Sequence, residues 1–314
     1  MKRVRVKIAV DLGNSMINAA TYINNELKLA KLPNKIKFEK TISPKAKVLS
    51  INNQVMYVGV GDLNNNVLKH TRKNLLEQVL VMINELYPDE DNLGVELVTG
   101  LPPAQMFNDK YLEAFQNIFT NKGVMEFKIN GRYKTVEITS VDVYAEGYSG
   151  FISLVDKINT TQNILSIDVG GSTTDLCNYS YDYEDDVFYP DVTDTIEKGI
   201  IDLEKAIVDK FNNDNGADIE LEQIDVALRN DLRFIRYEGK DYILDQYIEA
   251  MYPLINDILN KITNKFGQLD KYYIVGIGGG YKTFNKYANQ FISKQLEVDE
   301  DARFYANVTG YLEQ

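Results

Sequence analysis

The chain has no tryptophan, one cysteine and one histidine in 314 residues. A lone cysteine, Cys177, excludes an intrachain disulfide and fits a reducing compartment. One cysteine and one histidine are too few for a zinc site of His/Cys type. A Ser-His-Asp hydrolase would have to use His70, and no nucleophile motif surrounds it; His70 reads as a surface helix residue. No apolar run approaches the roughly 18 residues of a membrane span. The basic start, Met1 to Lys7, is not followed by a signal-peptide core. Positive charge is also scarce, with 34 Lys and Arg against 46 Asp and Glu, a formal net charge of −12. That balance argues against direct affinity for nucleic acid or an anionic membrane. No Pro/Ser-rich linker separates the parts. A tightly joined, cytoplasmic protein is expected, long enough for two domains.

What is present is a short phrase written twice. Residues 8–15 read I-A-V-D-L-G-N-S and residues 165–172 read L-S-I-D-V-G-G-S. Asp11 and Asp168 lie 157 positions apart (168 − 11), half the length of the chain. A repeat at that spacing predicts two similar domains facing each other. Val4, Val6, Ile8 and Val10 alternate with other residues, which is strand periodicity. Each strand ends in Asp and runs into glycine, Gly13 in the first copy and Gly170-Gly171 in the second. Glycine turns let main-chain N–H groups approach an anion closely. Asn14, Ser15, Ser172 and Thr173 add backbone or hydroxyl donors. The two carboxylates would repel phosphate unless a hard cation such as Mg²⁺ lay between them, usually through water. A third element, Y-Y-I-V-G-I-G-G-G at 272–280, runs a buried-type strand into Gly278, Gly279 and Gly280. These could lie flat against a nucleoside.

The order of patterns is α/β. Strands are expected at 17–22, 55–58, 95–98 and 127–141, the last folded about an Asn130-Gly131 turn. A hairpin is expected over 176–191. Helical spacing covers 70–87, 111–119, 144–155, 200–212, 243–266 and 301–313.

These pieces, in this order, resemble the actin/Hsp70/sugar-kinase ATPase superfamily. D-V-G-G-S-T-T-D at 168–175 is the most specific of them, and the resemblance spans the whole chain. T-G-L-P-P at 99–103 and Leu32-Pro33 bring it nearest the plasmid-segregating bacterial actins, the ParM or StbA group. The resemblance implies an α/β actin-like ATPase fold: two duplicated ribonuclease-H-like domains flanking a nucleotide cleft. The expected domains are 1–158, with a smaller subdomain around 31–92, and 159–300, with one around 205–265. A C-terminal helix at 301–314 would return to the first domain.

It also implies site roles. Asp11 and Asp168 would hold hydrated Mg²⁺. Gly13, Asn14 and Ser15 would meet the phosphates from one side, and Gly170, Gly171, Ser172 and Thr173 from the other. Glu146, at the start of a connecting helix, would orient or activate the attacking water, with Asp142 a nearby competitor. Lys198, Gly199, Asp202 and Glu204 lie where relatives contact ribose and base. ATP or GTP with Mg²⁺ is the implied cofactor. The partners are further copies of the chain and a DNA-binding adaptor of ParR type, with no direct contact to nucleic acid or membrane. The expected function is a polymerising ATPase that segregates plasmid DNA. The alternatives are a small-molecule kinase of the same fold or a cell-shape homologue. A chaperone-like ATPase ranks last, because no peptide-binding segment is visible after the core. One departure stands out: the family's phosphate-reaching Lys after the first loop is replaced by Asn18, so another cation must substitute or Mg²⁺ and backbone must carry more of the charge.

Overall fold

The computed structural model describes residues 3–64 and 66–314. Among these, the first half builds one mixed sheet around the strand Val4–Leu12. The strand turns back antiparallel into Met16–Ile23 and then Glu26–Pro33. On its other side it pairs in parallel with Asn92–Leu101, which pairs in parallel with Arg132–Ala145. The second half repeats the beginning of this order. Ile164–Val169 turns back into Thr174–Asp182 and Val187–Ile196, and pairs in parallel with Tyr273–Ile277. The registers repeat as well: Asp11 faces Asn18, and Asp168 faces Asp175.

Strand alternation decides which side of each sheet the Asp residues occupy. Ile8, Val10 and Leu12 point into a core shared with the helix Leu75–Leu86. Ala9 points the other way, toward Val308 and Tyr311 of the C-terminal helix Ala306–Glu313. Leu165, Ile167 and Val169 likewise share a core with Leu203 and Ile207 of the helix Ile200–Asn215. Ile164 packs oppositely with Phe151 and Ala306. Asp11 and Asp168 have the parity of Ala9 and Ile164, so both face the connecting segments. Small residues allow this packing: a side chain at Gly100 would overlap Tyr311, and one at Gly310 would overlap the Ser149 backbone.

Most expected elements appear, including the hairpins at 124–145 and 174–196. Asn130 and Gly131 both have positive φ, 50° and 85°, the backbone of a tight hairpin turn. Four expected helices are shorter or broken. The segment 144–155 is strand to Ala145, because Tyr144 and Ala145 still pair with Gly100 and Leu101. Gly147, at φ 73°, then turns the chain into the short helix Tyr148–Ile152. The helix expected from residue 70 starts at Leu75 behind Asn74, whose φ is 60°; residues 69–71 form a separate 3-10 turn. The C-terminal helix is interrupted at Tyr305. The long pattern from 243 resolves into Asp245–Ile248, a 3-10 turn and Tyr252–Phe266, with Pro253 in the last helix's first turn.

Candidate functional site

The two glycine turns and the loop after Tyr273–Ile277 open onto one cleft. Asp11, Gly13, Asn14, Ser15, Glu146, Asp168, Gly170, Gly171, Thr173, Gly278, Gly279 and Gly280 all line it. Elements far apart in sequence therefore meet as the repeat predicted.

The first loop is held from behind. Asn34 donates to the Gly13 carbonyl at 2.6 Å and is itself held by Gln78. Arg72 donates to the Leu12 carbonyl at 2.7 Å. The second loop is stitched to the helix Ile200–Asn215, whose Ile200 and Ile201 amides donate to the Gly170 and Gly171 carbonyls at 3.0 and 2.9 Å. Gly199 permits this approach, since a side chain there would collide with both carbonyls.

Several expected contacts are spent inside the fold. The Gly170 amide donates to the Thr173 carbonyl at 2.9 Å, and the Thr173 hydroxyl to Asp175 at 3.1 Å. Lys198, Gly199, Asp202 and Ser172 do not line the cleft among the described residues. The Lys198 ammonium pairs with Asp257 at 2.8 Å. Asp202 accepts from the Gly199 amide at 2.9 Å, capping its helix. Asp142 does not line the cleft either, whereas Glu204 does, beside Asp225 and Arg229. His70 is half-buried and stacked on Tyr111 at 4.6 Å, in a 3-10 turn instead of the expected helix.

The charged floor holds a residue that the sequence patterns did not single out. Lys69 is 2% exposed and reaches Glu146, which it ion-pairs, and Asp11, at 3.5 Å. Asn18 lines the cleft but carries no charge, and its amide donates to the Phe304 carbonyl at 3.3 Å. A buried cation therefore sits beside the carboxylates although the expected strand position lacks one. Its only sequence signal is a Lys next to the lone histidine, which no periodicity distinguishes.

Acidic groups outnumber this cation. Burial pushes the Asp168 carboxyl up to about 7, with Glu146 and Asp11 adding to the shift and the Asn307 amide opposing it. Burial likewise raises Asp175, with Glu146 and Asp168 adding. It raises Glu146 against the pull of Lys69. Excess negative charge on a buried floor is the environment a divalent cation would neutralise. No three acidic, His or Cys side chains converge to ligate a metal directly among the described residues. That suits Mg²⁺, which keeps several waters and takes few protein ligands. Two buried oxygens lining the cleft, Asn14 Oδ1 and Asn18 Oδ1, have no partner. The donor set thus fits a hydrated cation with a polyanion.

Paired half-chain sheets, with glycine turns and carboxylates meeting in the cleft between them, define the actin-like class. Two family models agree: actin-like proteins, N-terminal domain, over residues 9–148, and archaeal actin homologue MreB-like, C-terminal, over residues 166–288. The first part of the chain is thus similar to actin-like proteins and the second to an archaeal actin homologue, and the fold is actin-like. Its fold is similar to that of the archaeal actin homologue Ta0583, with TM-score 0.79 and 19% identity over 98% of each chain. The same protein in complex with ADP matches at TM-score 0.76 and 17% identity, again over 98% of each. A subunit of the 15-stranded ParM filament from Clostridium botulinum matches at TM-score 0.75 and 20% identity, over 100% of this chain and 99% of the other. No curated protein sequence matches the chain. No helix among the described residues is long and apolar enough to cross a membrane.

Proposed function

We propose that this protein is a Mg²⁺-dependent ATPase or GTPase whose nucleotide state controls its assembly into filaments, and that these filaments segregate plasmid DNA in the cytoplasm through a basic, DNA-binding adaptor of ParR type. One observation carries the reading: Asp11, Glu146, Asp168 and Lys69 gather on the floor of a cleft edged by three glycine loops. Strong net negative charge argues for an adaptor over direct DNA contact. The proposed division, with subdomains around 31–92 and 205–265, would let the cleft close over nucleotide.

Phosphoryl transfer to water needs mainly positioning and charge neutralisation. Asp11 and Asp168 would hold the hydrated Mg²⁺, which supplies charge neutralisation at the phosphates when bound. The amides of Gly13, Asn14, Ser15 and Gly171 would position the phosphate chain. Glu146 would orient the attacking water and accept its proton at a carboxylate oxygen. Lys69 opposes the rise that burial imposes on the Glu146 carboxyl and stands where the missing strand lysine's charge is needed. Gly278, Gly279 and Gly280 leave room for the nucleoside.

The test is Glu146→Gln, followed by light scattering and phosphate release after addition of Mg-ATP or Mg-GTP. The wild type should scatter and then decay as nucleotide is consumed. The variant should assemble and persist, with phosphate release lower by about 10²–10⁴-fold. A flat wild-type trace, with phosphate passed to an added alcohol or acid, would overturn the reading in favour of a kinase.

A further inference from the structure

Asn307 occupies the point where the C-terminal helix meets the cleft floor. It is 7% exposed, and its amide makes three hydrogen bonds. Nδ2 donates to Asp168 Oδ2 at 2.6 Å. Oδ1 accepts from the Gly147 and Gly150 amides at 2.9 and 3.1 Å. Gly147 immediately follows Glu146, and Gly147 to Gly150 form the turn that leads the chain away from the cleft. One planar amide therefore bridges the carboxylate of one sheet and the turn that aims the carboxylate of the other.

The surroundings keep that amide in place. Gly310, one turn along the same helix, packs on the Ser149 backbone. Tyr311 seats against Gly100 under the first sheet. Ser149 and Gly150, on the partner segment, are buried. A side chain added at Gly150 would meet Asn307 and Ile277. The amide orientation follows from its partners: two N–H groups require an oxygen, and a carboxylate requires the NH₂.

We propose that Asn307 is a positioning residue. It fixes Asp168 and the Glu146 turn in one geometry, so that cation binding at the first and water orientation by the second are set together. This rests on the nucleotide reading above and adds the device that couples the two halves of the site. Groups that orient a metal-binding carboxylate typically contribute about 10–100-fold to metal affinity or activity.

Two variants separate the arms. Asn307→Asp keeps an oxygen for the Gly147 and Gly150 amides but replaces the donor to Asp168 with a second carboxylate. Asn307→Ala removes both arms. ADP affinity is measured by calorimetry with Mg²⁺ and with EDTA, and amide exchange is followed across 147–150. For Asn307→Asp, affinity in EDTA should stay within about threefold of wild type, and the Mg²⁺-dependent gain should fall about 10-fold or more. Protection of the Gly147 and Gly150 amides should persist in Asn307→Asp and be lost in Asn307→Ala, with turnover reduced in both. Wild-type Mg²⁺ dependence and turnover in a folded Asn307→Asp, or retained amide protection in Asn307→Ala, would overturn the proposal. If Asn307→Asp does not fold, the exchange pattern and Mg²⁺ dependence of Asn307→Ala decide. Failure of the wild type to bind ADP or ATP at all would overturn the nucleotide reading instead.

Discussion

Replacing Lys69 with Met tests the electrostatics of the cleft floor most directly. Met nearly matches the volume and removes the charge. The ammonium is 2% exposed, and its partners Glu146 and Asp11 have side chains 9% and 16% exposed, so solvent screens the Glu146 pair weakly. Removing one member of such a buried pair costs about 3–5 kcal/mol, mostly from the charge left unpaired. Glu146 can limit that loss by taking up a proton. Burial already raises its carboxyl, and Lys69 is the largest influence holding it down. Without Lys69 the folded-state carboxyl rises further above its unfolded value. An acid raised in this way favours the fold at low pH, and that contribution is lost as pH climbs through the folded-state value. Lys69→Met should therefore cost about 3 kcal/mol at pH 8 and roughly 1 kcal/mol at pH 5. Urea unfolding of nucleotide-free protein at both pH values measures it. An equal loss at the two pH values, or no loss at pH 8, would refute the reasoning.

Glu204 lines the same cleft, and burial beside Asp225 pushes its carboxyl up to about 9. The native state holds a proton that the unfolded chain releases near pH 4.5, so stability should decline between those values as pH rises. Glu204→Gln cannot ionise; it should flatten this slope and stabilise the protein by roughly 2 kcal/mol at pH 8, read from denaturant midpoints at pH 6 and 8. An unchanged slope would remove Glu204 as its source. Lys134 is fully buried and donates to the Tyr87, Pro88 and Glu90 carbonyls at 2.7, 3.1 and 2.6 Å. Lys134→Met strands those acceptors and should lose about 2–4 kcal/mol with nucleotide turnover unchanged; unaltered stability would show that the carbonyls find other partners.

The repeat at Asp11 and Asp168 determined a great deal by itself. Alternation, a terminal Asp and a glycine turn are local features, and local features fix strand ends and which face a residue takes. Their half-chain spacing announced two sheets and a cleft, and the glycine loops line it. Glu146 was legible through the resemblance, which places an acid at the start of the connecting segment, here within A-E-G-Y-S-G. The helix boundaries around it were less legible: strand pairing with Asn92–Leu101 carried residues 144 and 145 past the point where periodicity turned helical.

Only the tertiary structure decided where the charges and amides of the site come from. Lys69 lies in a 3-10 turn that packs over the first sheet, and Asn307 lies on a helix that returns from the far end of the chain. Neither has a local pattern, because what singles them out is burial against Asp11, Glu146 and Asp168, residues more than 50 positions away. The structure likewise withdrew Lys198 and Asp202 from the cleft, one to Asp257 and the other to a helix cap. A sequence records which chemistry is available at each turn. Which of those groups meet is set by the packing of two sheets against two short crossing helices, and that depends on every small residue, Gly100 and Gly310 among them, that lets the backbones approach.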